Sequence, residues 1–244
     1  PLSEKPYFLI YKKDIFDKAK INIDDIKTWN DYINVCNMLN KNLKSNYKFM
    51  HHYKNANLYE MFLNQLGKGY DNVNLIAKSD ESNKSLQLIR ELYKNKFVYL
   101  TEDYEKIIEE ITKGKLISTI CSSEDLVDIA KNNTNFNEKF TIKKMPSFEL
   151  GGNRDLNYNK VSILVVNNRL SKVGNTFINF IVNNERIAVE LYLKQGVVTA
   201  NTNIYKSKIL ENKNKWFNNE NIYSLINNIV VKAPSVTYDS NYKN

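Results

Sequence analysis

Few residues in this sequence are spaced for bond-making chemistry. Its two histidines, His51 and His52, are adjacent, so their rings cannot share one helical face as in a His-x-x-x-His site. Neither a cysteine nor an acid stands at ligand spacing beside them. The expectation is no metal centre. The pair Glu109-Glu110 falls on an amphipathic segment and reads as its solvated face rather than as an acid–base couple. There is no Gly-x-Ser-x-Gly, no Walker loop and no Gly-x-Gly-x-x-Gly, which leaves no catalytic residue and no cofactor to assign. A Ser-His or Cys-His arrangement assembled by the fold stays open. Cys36 and Cys121 both sit in apolar-periodic segments and read as small buried hydrophobes. A disulfide between them in an oxidising compartment is left undecided.

Groups suited to non-covalent recognition are better represented. Cys121-Ser122-Ser123-Glu124 follows an apolar, β-branched run, so a helix starting there would offer unpaired backbone N–H groups. Gly151-Gly152 allows close backbone approach in the stretch "GGNRDLNYN".

Regular elements must hold these groups. Phe8 to Tyr11 reads as a buried strand. Thr28 with Asp31 three residues on forms a variant capping box, followed at helical spacing by Trp29, Tyr32, Ile33, Cys36, Leu39 and Leu43. Leu58, Phe62 and Leu66 mark a second helix that stops at Gly67, and Leu86, Ile89 and Tyr93 form one face of a third. Tyr104, Ile107, Ile108 and Ile111 mark a fourth helix, ended by Gly114. Leu116 to Cys121, Phe140 to Ile142 and Val161 to Val166 read as strands, and Ser122 or Ser123 caps a helix through Leu126, Ile129 and Ala130. Three later helices carry Val173, Phe177, Phe180 and Ile181, then Ile187, Leu191 and Tyr192 up to Gly196, then Ile222, Leu225, Ile226 and Ile229. Alternating helices and short strands imply a layered α/β fold.

At 244 residues with 42% hydrophobic content the chain can bury a substantial core. The net charge of +8 could favour acidic partners. Lys is nevertheless spread along the chain among acids rather than gathered on a stripe, which argues against nucleic acid as a partner. No apolar run approaches the roughly 18 residues that span a bilayer. The start at Pro1, without Met or signal peptide, suggests a processed or truncated product.

The ordered series "LIYKKDIF…KTW", "NQLGKGY", "IEEITKGKLISTI", "KMPSFELGG" and "FINFIVNNERIAVELYLKQGVVTANTNIY" resembles the family 1 extracellular solute-binding proteins of ABC importers. Departures are a lysine where the family has Asn in its Tyr-Asn-Lys-Asp strand end, and Thr199 where Pro often precedes Ala200. The resemblance implies a periplasmic-binding-protein-like two-lobe fold, mostly lobe two plus part of lobe one. Residues 1–146 and 204–244 would form lobe two, 147–203 a segment of lobe one, and the rest of lobe one would be absent.

It further implies a small-molecule ligand, most simply a sugar, captured between the lobes, and an ABC permease as the membrane partner. The protein would be extracytoplasmic and lipid-anchored through a missing N-terminus. The same fold also serves as the ligand-sensing domain of regulators, which remains the alternative, and a hydrolase without recognisable motif is a weaker one. The ligand candidates are Tyr53, Asn57 and Tyr59, then Ser122, Ser123 and Glu124, then Asn153 and Arg154 from the lobe-one side, and Tyr238. Each has a bland reading beside it. Tyr59 could be core, Glu124 a helix-dipole partner, the Gly-Asn stretch a plain loop and Tyr238 a frayed end.

Overall fold

Seven residues, Pro6 to Lys12, organise the molecule. In this computed structural model, residues 3–69, 73–132, 140–158, 171–201 and 221–236 are described. The chain enters through β1 (Ser3–Glu4) and β2 (Pro6–Lys12). Strand β2 is apolar on both faces because both faces are covered. Leu9 and Tyr11 belong to one buried cluster, Phe8 and Ile10 to another.

Helix α1 (Lys13–Lys18) and a 3-10 turn at Ile23–Asp25 lead to α2 (Trp29–Asn42). The expected capping box is present: the Thr28 hydroxyl accepts from the Asp31 N–H at 3.1 Å, and the Asp31 carboxylate accepts from the Thr28 N–H at 2.8 Å. Strand β3 (Met50–His52) follows, then α3 (Asn57–Gln65), α4 (Val73–Ile76), α5 (Asp80–Lys94), β4 (Val98–Leu100) and α6 (Tyr104–Thr112). Next come β5 (Ser118–Ser122), α7 (Ser123–Asn132), β6 (Phe140–Lys143) and β7 (Leu156–Asn157). The remaining elements are α8 (Ser171–Asn183), α9 (Glu185–Gln195), β8 (Val198–Thr199) and α10 (Ile222–Lys232).

Strands β5, β6 and β7 all pair antiparallel with β2, which places Ile10 opposite Thr119 on one side and Ile142 on the other. Strands β3 and β4 pair in parallel. A parallel bridge between Lys48 and Leu116 sets β3 beside β5, and the His51 N–H donates to the Thr119 hydroxyl at 3.0 Å. Helices α2, α3 and α5 cover the Leu9 face, and α6, α7 and α10 cover the Phe8 face. Strand β1 pairs with β8, so the chain end meets the segment that follows α9.

Buried polar groups weld the Leu9 side. The Gln65 amide donates to the Pro146 and Asn153 carbonyls at 2.7 and 3.0 Å, while its oxygen accepts from the Trp29 indole at 3.2 Å. Tyr32 donates to the Phe49 carbonyl and lies 3.0 Å from the Ser118 hydroxyl.

Two expectations change. The buried stripe of α5 is Ser82, Ser85, Leu88 and Leu92, whereas Leu86 and Tyr93 are exposed. Serine's small side chain lets α5 approach α3 closely enough for the Tyr59 hydroxyl to reach that of Ser82 at 2.9 Å. Helix α8 forms as expected, but its apolar stripe is uncovered: Val173, Phe177 and Phe180 are 70, 57 and 57% exposed. The strand expected at Val161 to Val166 lies outside the described residues. Both cysteines are free and buried, and burial pushes their thiols well above the usual range. Among the described residues no helix is long and apolar enough to cross a membrane.

Candidate ligand-binding site

Three parallel strands, β3, β4 and β5, end on the same side of the molecule, and each feeds a helix within a few residues. Crevices outside the carboxyl ends of strands are where α/β folds collect ligand-facing groups. A cavity of about 220 Å³ opens there. Its depth is apolar, built from Ile107, Ile111 and Ile129 of the Phe8-side core. Further lining is aromatic and polar, with Lys5, Tyr7, His51, Tyr53 and Tyr158 from strands and adjoining residues, and Asn57, Tyr104 and Asp125 from the first turns of α3, α6 and α7.

Strand geometry explains the two histidines. Neighbouring residues on a strand point to opposite faces. His51 Nδ1 lies 2.6 Å from the Thr119 hydroxyl, and its ring sits edge-on to Tyr53 at 5.2 Å. His52 turns the other way, to the Tyr93 hydroxyl at 2.7 Å. Burial pulls the His51 ring down to about 4, against the opposing pull of Asp125, so the ring is neutral at pH 7. Burial, with help from Asp125, pushes the Tyr53 phenol up to about 12 and the Tyr7 and Tyr104 phenols higher still. All three tyrosines are therefore protonated donors.

Asp125 is central. Its Oδ2 accepts from the Ser122 N–H at 2.7 Å and the Ser122 hydroxyl at 2.8 Å. This is a capping interaction that fixes the carboxylate at the first turn of α7. Lys5, the cavity's lysine, is paired with Glu124 at 2.9 Å.

The sequence candidates divide accordingly. Tyr53 and Asn57 line the cavity, and Glu124 stands at its edge through Lys5. Ser122 closes β5 and holds Asp125. The other candidates are engaged elsewhere. Tyr59 bonds to Ser82. The Ser123 hydroxyl donates to the Gly196 carbonyl at 2.6 Å. Asn153 donates to the Gln65 and Asp155 carbonyls. Arg154 Nε donates to the Met145 carbonyl at 2.7 Å and its Nη2 to those of Ile26 and Lys144. That guanidinium is consumed in holding loops together. Tyr238 lies outside the described residues. Sequence reasoning passed over Lys5, Tyr7, Tyr104, Asp125 and Tyr158. The signal available was position, since Tyr104 opens α6 and Asp125 lies in the first turn of α7. Among the described residues no cluster of His, Cys, Asp and Glu could hold a metal.

The family described as bacterial extracellular solute-binding protein matches residues 1–218. The arabinooligosaccharide-binding protein of Bacillus subtilis (strain 168) is 23% identical over 218 residues, covering 85% of this chain and 49% of that protein. The galacto-N-biose-/lacto-N-biose I-binding protein of Bifidobacterium longum, solved with lacto-N-biose, superposes with a TM-score of 0.75 at 15% identity, over 98% of this chain and 60% of that one. Maltose-bound MalE3 of T. maritima gives 0.72 at 15% identity, over 99% and 63%. These structures show the periplasmic-binding-protein fold. The chain spans about half the length of the curated relative and about three-fifths of the solved ones. With the family match running from the first strand through β8 and a crevice gathered at the strand ends, the chain belongs to the bacterial extracellular solute-binding proteins.

Proposed function

We propose that this chain is part of the solute-binding component of an ABC importer, which captures a small hydroxylated ligand, a sugar or oligosaccharide, and presents it to a membrane permease. The observation that carries the reading is the family match together with the aromatic and polar lining of the cavity at the ends of β3, β4 and β5. Residues 1–146 and 204–244 make one lobe, and 147–203 return to the other. The crossing leans on the first lobe through β7 and Arg154. A ligand that touches both lobes only when they close would stabilise the closed form by its differential contacts. The protein acts outside the cytoplasm, tethered by a lipid, and performs no chemistry on its ligand.

The test is calorimetric titration of the full-length protein with arabino-, galacto- and malto-oligosaccharides. Saturable binding of one of them at one site per chain, weakened at least tenfold by Tyr53→Ala, is the expected result. A folded protein that binds none of them overturns the sugar assignment.

A further inference from the structure

The charge at the cavity runs against the charge of the chain. The protein carries +8 overall, yet Lys5 at the cavity is already paired with Glu124. His51 is neutral at pH 7. Asp125 accepts from the Ser122 N–H and hydroxyl, and the neighbouring Tyr104 phenol donates to a second carboxylate, Asp128, at 3.5 Å. Among the described residues no lysine or arginine pairs with Asp125. The Ser122 cap and the first turn of α7 hold the carboxylate through hydrogen bonds, so its negative charge is retained at the cavity without a cation to neutralise it.

What surrounds the carboxylate also favours a cation. The rings of Tyr7, Tyr53 and Tyr104 share the cavity with Asp125, and aromatic faces carry negative potential that attracts ammonium groups. Below them the isoleucines offer contact to methyl or methylene groups but no hydrogen bond. A neutral sugar ring would gain from the aromatic rings and could donate a hydroxyl to Asp125, whereas an ammonium adds a charge-assisted hydrogen bond to the same carboxylate.

We propose that this cavity takes the ammonium end of its ligand, seated among Tyr7, Tyr53 and Tyr104 with the Asp125 carboxylate as counter-charge. The proposal rests on the reading of the cavity as the solute site and names the chemistry of the ligand: a hydroxylated small molecule bearing an amino or alkylammonium group.

The test compares choline with its uncharged carbon isostere, 3,3-dimethylbutan-1-ol, by calorimetry on the full-length protein. Choline should bind at least tenfold more tightly than the isostere. Asp125→Asn keeps an oxygen to accept from Ser122 and should abolish that preference. Tyr53→Leu leaves the cap untouched and should weaken choline at least fivefold with an unchanged melting temperature. Equal affinity for the two probes, or a preference that survives Asp125→Asn, overturns the proposal. Binding of a neutral oligosaccharide without binding of choline overturns it too while leaving the solute-binding reading intact. Failure of every probe overturns both.

Discussion

Replacing Gly196 with alanine tests the tightest of the glycine positions among the described residues. Gly196 ends α9 in the left-handed conformation, with φ +73°, and its N–H donates to the Tyr192 carbonyl at 2.7 Å. A Cβ built there would stand 2.2 Å from the Ser123 carbonyl oxygen, 2.5 Å from its carbonyl carbon and 2.7 Å from the Glu124 Cα. These are backbone atoms at the start of α7, so no side chain can swing aside. The left-handed conformation alone costs an L-residue about 1–2 kcal/mol. Forcing a methyl into packed backbone adds about 1–3 kcal/mol. Gly196→Ala should therefore lose about 2–5 kcal/mol, or roughly 10 °C in melting temperature for a chain of this size.

Gly151 supplies the control. Its φ is +79°, but a Cβ there meets nothing within 4 Å, so Gly151→Ala should show only the conformational part, about 1–2 kcal/mol. Urea denaturation of both variants measures the difference. Equal losses would show that α7 and α9 do not press together at Gly196.

Other perturbations read other parts of the structure. The unfolded chain takes up a proton on His51 near 6.5 and the folded chain only near 4, with Asp125, His52 and Tyr53 facing the ring. Stability is thus unaffected above that window and falls as pH drops through it, by about 3 kcal/mol in full by linkage. His51→Gln should flatten this part of a urea-midpoint profile, and an unchanged slope would refute the assignment. Gln65→Leu leaves the Trp29 indole and the Pro146 and Asn153 carbonyls without their shared partner, and should cost about 2–4 kcal/mol by equilibrium denaturation. Thr28→Ala removes one half of the α2 capping box and should cost about 1 kcal/mol; no change would mean that the cap is idle.

What was legible in the sequence is what depends on local geometry. The α2 cap needs only Thr28, Asp31 and the backbone between them, and β2 announces itself as an unbroken apolar run. Short strands were not legible: β3 has three residues and β8 two, too few to show a period. The histidine pair lies on β3, where adjacency sends the rings to opposite faces, a placement that two residues cannot signal by themselves. The stripe of α5 was misplaced because two of its buried members are serines, which contribute no apolar signal. Arg154, Asn153 and Ser123 carry the right groups for recognition, and only the folded chain shows carbonyls waiting for each. Asp125 was missed because its meaning depends on Tyr7, Tyr53 and Tyr104, which are distant in sequence and meet only at the strand ends.

The cavity's two layers have different evolutionary freedom. Ile107, Ile111 and Ile129 are at once its floor and part of the core beneath β2, so a mutation that reshapes the floor also tests whether the domain survives. Truncating a buried isoleucine costs about 2–5 kcal/mol, much of the margin a typical domain has. The rim is less tightly coupled: Tyr53 and Asn57 stand beside the exposed loop Lys54 to Ala56 and are only half-buried, although Tyr53 packs against the edge of that core. A lineage drifting toward a new ligand should change its rim first, while the isoleucine floor is inherited.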